Sequence, residues 1–87
     1  MNVISWRVFI GWWDGDEPEY TYEDKTFSDY AQAASYLLFK LGRWRTDTCP
    51  VCVDQAASEY ESLANNEFGT EWFGEVEGDD YVLVKVD

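Results

Sequence analysis

The chain reads as an α+β domain of order ββααββ, a four-stranded antiparallel sheet with two helices packed on one face. Three observations predict it. Residues 3–13 and 70–87 alternate with a period of two, the repeat of a strand. The stretch from Ser28 to Asn66 carries apolar residues at helical spacing. The 87 residues make one domain, 1–87, with no repeat, linker or low-complexity segment.

In "VISWRVFIGWW", Ile4, Trp6, Val8, Ile10 and Trp12 share one face and Ser5 and Arg7 the other. Phe9 and Trp13 break that second face. One of the tandem tryptophans therefore lies outside the main core, either at an interface or in a second small core. "DGDEPE" follows, with an Asp-Gly turn signal and a proline that ends pairing. Tyr20 and Tyr22 then alternate with Thr21 and Glu23, which predicts a hairpin with a long acidic tip and a second strand over Tyr20–Lys25.

Ser28 or Asp29 suits a helix N-cap, because either side chain accepts from unpaired N–H groups one turn on. Tyr30, Ala33, Ala34, Leu37, Leu38 and Leu41 form the apolar stripe, and Gly42 fits the residue that stops the helix. "RWRTDT" is a short connection. Thr48 or Asp47 caps the next helix, Pro50 suits its first turn, and Cys49, Val53, Ala56, Tyr60, Leu63 and Ala64 keep helical spacing to about Asn66. The two helices form an antiparallel or steeply crossed pair. In the last segment Trp72 and Val76 share a face with Gly74 between them, and Glu71, Phe73, Glu75 and Glu77 take the other. "EGDD" turns the chain into alternating Tyr81–Val86. Strand order is not readable from the pattern.

Composition narrows the function. Five Trp, six Tyr and five Phe supply a dense core for so short a chain, so the acidity does not signal disorder. Eighteen Asp and Glu against six Lys and Arg give a net charge of −12. That charge disfavours direct binding to nucleic acid or to an anionic membrane and favours a basic protein partner. A solvated surface in an acidic proteome is the plainer account of the same charge. The N-terminal stretch lacks the pattern of a signal peptide, and no apolar run approaches a bilayer span. The expectation is a cytoplasmic protein whose two thiols are mainly reduced.

Those thiols lie in "TCPVC". Cys49 falls at a helix N-terminus with Cys52 one turn inside, a geometry that lowers a thiol pKa. Arg43 and Arg45 add to this effect, while Asp47, Asp54 and the net charge oppose it. CPVC resembles the glutaredoxin active-site motif over four residues of 87. In that family the motif follows an N-terminal strand of a βαβ unit. Here it follows a helix and a loop in mid-chain, so the family is not carried over. As a zinc site, Cys49 and Cys52 give two ligands where a structural site needs four, and the chain has no His and no third Cys. Zinc shared between two chains, or help from carboxylates, would complete it.

No catalytic constellation emerges. With no His, general acid–base work falls to carboxylates, Tyr and Lys. "DGDEPE" does not match a Ca²⁺ loop, and there is no phosphate loop, nucleophile elbow or dinucleotide fingerprint. The chain reads as a non-enzyme without a cofactor. Two anionic arrays stand out instead. The hairpin tip, Asp14, Asp16, Glu17, Glu19 and on to Asp24, holds six carboxylates and no base. The third strand carries Glu71, Glu75 and Glu77, with Phe73 between them and Asp79 and Asp80 in the turn. Carboxylates two residues apart on a strand stand about 6.6 Å apart, comparable with the spacing of phosphates along a wound backbone.

Lys40, Arg43 and Arg45 cluster around Trp44. They suit the dipole at a helix C-terminus, or else form a docking patch anchored by Trp44 that would drive homodimer pairing. Trp13 is the other aromatic candidate for partner binding. In size and acidity the chain resembles the small inhibitors of phages and mobile elements, such as uracil-DNA glycosylase inhibitors and some anti-CRISPR proteins. That resemblance implies a nucleic-acid mimic occupying the basic groove of a nucleic-acid-binding enzyme.

Overall fold

The first and last strands of the chain become the two middle strands of one sheet. The structure is a computed structural model that describes residues 4–14 and 17–86, the side chains of Glu17 and Pro18 excepted. Its elements are β1 (Ser5–Asp14), β2 (Glu17–Phe27), α1 (Tyr30–Gly42), a 3₁₀ turn (Arg43–Thr46), α2 (Pro50–Ala64), β3 (Trp72–Val76) and β4 (Asp79–Val86). All pairs are antiparallel and the order is β2-β1-β4-β3, so the predicted α+β class stands.

Alternation sends Trp6, Val8 and Ile10 of β1, Trp72 and Val76 of β3, and Tyr81 and Leu83 of β4 under the helices. They meet Tyr30, Ala33, Ala34, Leu37 and Leu41 of α1 and Cys52, Ala56 and Leu63 of α2. Each fully buried Leu or Val is worth about 1.5–3 kcal/mol. The stripe expected on α1 is the buried one except for Leu38, which is half-buried at its margin, and Asp29 caps the helix by accepting the Gln32 N–H at 2.8 Å.

Several local readings are corrected. β2 starts at Glu17 and runs to Phe27, so Pro18 does not end pairing: its backbone sits opposite Trp13 on an edge strand, where a proline costs no ladder bond. Asp14 stands opposite Glu17, so the tip is short, not long, and its connecting residues 15–16 lie outside the described residues. Gly42 does not stop α1. It keeps right-handed backbone angles, and the chain tightens into the 3₁₀ turn instead of breaking. α2 is capped by the Cys49 sulfur, which accepts the Cys52 N–H at 3.3 Å, while Asp47 accepts the Cys49 N–H. Ile4 and Trp12, at the two ends of the predicted core face, are 44% and 52% exposed, because the helices cover only its middle.

The face away from the helices holds a second small core. Phe9 and Val82 are fully buried there, directly opposite each other across β1 and β4. The Trp13 ring meets Phe9 edge-on at 5.1 Å, and the Arg7 guanidinium lies 5.3 Å above the Trp13 ring. Arg7 in turn pairs with Asp24 on β2. Gly11 permits the close approach at a β-bulge: a Cβ there would strike the Tyr20 carbonyl oxygen and come within 3.0 Å of the Phe9 ring.

Both sheet edges are guarded against further strand pairing. Along β3, the outward N–H of Glu75 donates to the Glu59 carboxylate and that of Glu77 to Gln55 Oε1, both on α2. Along β2, two bulges and a run of charged residues interrupt the edge. Among the described residues, no helix is long and apolar enough to cross a membrane.

Candidate functional site

β3 and β4 are joined by a two-residue turn, Glu77–Gly78, with φ of 50° and 82°. Positive φ at both positions matches the twist of a tight hairpin. The turn divides the acidic run predicted on this hairpin. Phe73 stands opposite Val82 and Glu75 opposite Asp80. These four residues therefore share the open face, since directly paired residues lie on one side of a sheet. Asp79 pairs with buried Val76 and points to the helix side, where Tyr20 donates its hydroxyl proton to the Asp79 carboxylate at 3.3 Å. Glu77 sits in the turn, and its carboxylate approaches the Cys49 and Cys52 sulfurs. The expected row of Glu71, Glu75, Glu77, Asp79 and Asp80 is thus not a row. Glu71 lies just before β3 and accepts the Lys85 backbone N–H at 3.2 Å.

What the structure does assemble is smaller. Glu75 and Asp80 are cross-strand neighbours of like charge, an arrangement that costs stability by roughly 0.2–1 kcal/mol. Beside them Phe73 is 61% exposed. Asp80 also accepts the Trp13 backbone N–H at 2.9 Å, which ties this pair to the small open-face core. Trp13 is half-buried in that core. Trp44 is half-buried as well, packing on the main core while its Nε1–H donates to the Tyr81 hydroxyl at 2.8 Å. Its indole is therefore a structural strut and not the protruding anchor expected of a docking patch.

At the first hairpin, Asp14 and Glu19 are exposed, with Glu19 the extra residue of a bulge. Asp16 lies outside the described residues. Glu17 opens β2, and only its backbone is described. Sequence reasoning missed an exposed aromatic ladder on the helix side of this hairpin, beyond the end of the helices. Trp12 meets Tyr20 edge-on at 6.0 Å, and Tyr20 meets Tyr22 at 5.2 Å. Tyr22 is 64% exposed. The Tyr22 hydroxyl, as a hydrogen-bonding neighbour, with Asp79 adding, pushes the Tyr20 phenol up to about 12.

Two of the six cations are paired inside the fold. Among the described residues the ion pairs are Arg7–Asp24 and Lys40–Glu23, the latter at 3.0 Å. Lys25 and Lys40 both lie over the Tyr36 ring. The Arg7 guanidinium holds the Asp24 carboxyl below its usual range. Burial pushes the Glu23 carboxyl up, but hydrogen bonds from Tyr36 and Lys40 outweigh it and leave it lowered. Glu23 and Asp24 are therefore internal counter-ions, not part of an outward-facing array. Cys49 and Cys52 are joined as a disulfide, where reduced thiols were expected. Comparison of the chain with protein-family models, with curated proteins and with solved structures finds no match among them.

Proposed function

We propose that this is a non-enzymatic cytoplasmic domain that binds another protein through the open face of its sheet, occupying a basic surface built for nucleic acid. One observation carries the reading: Glu75 and Asp80 are held side by side, at a cost to the fold, next to an exposed Phe73. A cation from a partner, Lys or Arg, relieves that repulsion on contact, while Phe73 supplies apolar area at the centre of the patch. The rigidity of paired strands fixes the carboxylates before the encounter. Two of the six cations are paired within the fold, and the net charge of −12 steers a basic partner at a salt-dependent rate. Nucleic-acid-mimicking inhibitors of phages and mobile elements act in this way. Compared with the sequence expectation, the contact set narrows to Phe73, Glu75 and Asp80, with Glu71 at its margin.

The test is capture from host lysate by immobilised wild-type protein and by the Glu75→Gln/Asp80→Asn double variant. Bound proteins are identified at low and at high salt. Nucleic-acid-binding proteins should be enriched on the wild type, released by salt and by competing duplex DNA, and lost from the variant. An identical captured set on wild type and on a correctly folded variant would overturn the reading.

A further inference from the structure

Two thiol sulfurs and one carboxylate meet at the end of the molecule where α2 begins and the β3–β4 hairpin turns. Cys49 Sγ, Cys52 Sγ and a Glu77 carboxylate oxygen all lie within 4.8 Å of one another. Cys52 is buried, Cys49 half-buried and Glu77 exposed. Their positions are fixed by separate elements. The CxxC spacing places both sulfurs on the first turn of α2. Glu77 is aimed by its turn, and its backbone N–H is pinned to Gln55 Oε1 of the same helix at 2.9 Å. The residue type at position 77 is itself unexpected. A φ of 50° there favours Gly or Asn, and any other side chain raises the energy of the turn. An acidic residue placed at that cost, beside two sulfurs, is explained by what the three groups hold together.

We propose that the reduced protein has a Cys49–Cys52–Glu77 site for a zinc-class divalent cation, and that the disulfide is its closed, metal-free state. The donor chemistry selects the metal. Two thiolates and one carboxylate suit borderline-soft Zn²⁺ or Co²⁺, whereas Ca²⁺ and Mg²⁺ require oxygen donors throughout. The size fits as well. With Zn–S near 2.3 Å and Zn–O near 2.0–2.2 Å, tetrahedral donors stand roughly 3.5–3.8 Å apart. The sulfurs separate when the bond between them is cut, and the carboxylate closes by about 1 Å. The Cys52 N–H, already directed at Cys49 Sγ, supplies the outer hydrogen bond that thiolate ligands commonly take. The surrounding charge of −12 favours any cation. Three protein ligands leave the fourth position to solvent.

The redox step balances with a thiol reductant. Two equivalents of RSH reduce the Cys49–Cys52 bond to two thiols and leave as RSSR. The cation then displaces one proton from each thiol to solvent. Oxidation of the pair expels the ion, so occupancy follows the thiol poise of the compartment.

Cobalt titration tests this on the full chain. The protein is reduced with a phosphine, desalted without oxygen and titrated with Co²⁺. Reduced wild type should take one ion per chain, with a sulfur-to-cobalt charge-transfer band and a tetrahedral visible band, and the oxidised protein none. Glu77→Gln, at an exposed position that leaves the core untouched, should keep the sulfur band but weaken binding at least about tenfold, since loss of an outer-shell partner alone costs about 10–100-fold. Cys49→Ser should abolish the band. Half an ion per chain with Glu77→Gln binding as tightly as wild type would overturn the proposal in favour of four thiolates pooled from two chains. Absence of the band in reduced protein with native circular dichroism would also overturn it.

Discussion

The two faces of the sheet bury side chains by different means. Under the helices, Val8, Leu83 and Val76 are covered by a continuous apolar layer from α1 and α2. On the open face, Phe9 and Val82 are equally enclosed, yet what meets Phe9 is the Trp13 indole, itself covered by a guanidinium held by a carboxylate. The first face is built mainly from aliphatic and aromatic side chains, with no charged residue in it among the described residues. The second borrows the aliphatic and π surface of charged and amphipathic residues, whose polar ends stay in water. A sheet without a second helical layer can therefore keep its outer face dry in the middle and anionic at one side. The difference predicts where the molecule tolerates change.

The largest effect should come from truncating either centre. Leu37→Ala, beneath the helices, is expected to cost about 2–5 kcal/mol, and Phe9→Ala about 3–5 kcal/mol, measured by urea unfolding. A Phe9→Ala loss below about 1 kcal/mol would break the comparison, because the open-face cluster would then be surface decoration and not a core. Next comes Gly74. A Cβ at this position would collide with the Trp72 ring and the Glu59 carboxylate, so Gly74→Ala should destabilise by about 1–3 kcal/mol. The same collision should loosen the hydrogen bond from the Glu75 N–H to Glu59, seen as faster amide exchange at Glu75.

The smallest effect concerns the charged lid of the open face. Asp24 has its carboxyl lowered by Arg7. Its stabilisation is therefore complete above the unfolded carboxylate pKa of about 3.9 and disappears as pH falls through the lower folded value. Because the pair is partly exposed, Asp24→Asn should cost only about 0.5 kcal/mol at neutral pH. Below about pH 4 the variant and wild type should converge in thermal unfolding. A gap that widened as the solution became more acidic would show that Asp24 supports the lid by some means other than charge.

The α1 stripe from Tyr30 to Leu41 was legible because every apolar residue on it faces a single layer. The ββααββ order followed from where the period changed. Three things were hidden, the first and last because they depend on contacts distant in sequence and the second because it depends on the geometry of one turn. Pro18 looked like a terminator, since nothing local tells an edge strand from a middle one. The acidic run after Trp72 looked like a row, but a two-residue turn sends Glu77 and Asp79 away from Glu75 and Asp80. The pairing of Arg7 with Asp24, seventeen positions along, converts a hairpin carboxylate into a counter-ion. Of the candidate site residues, Phe73, Glu75 and Asp80 do meet. The meeting of Glu77 with the cysteines required the fold to bring the hairpin turn back to the start of α2.

The placement of β1 beside β4 has a consequence for biosynthesis. Ser5 is matched to Val86 and Gly11 to Asp80, and about seventy residues separate the end of β1 from the end of β4. At roughly 5–20 residues per second, a ribosome that has finished β1 needs roughly 4–14 seconds to deliver its partner. Throughout that interval the nascent β1–β2 ribbon leaves one long margin of β1, a strand with three tryptophans, without its partner. Until β4 arrives, that margin is open to pairing with another unfinished chain.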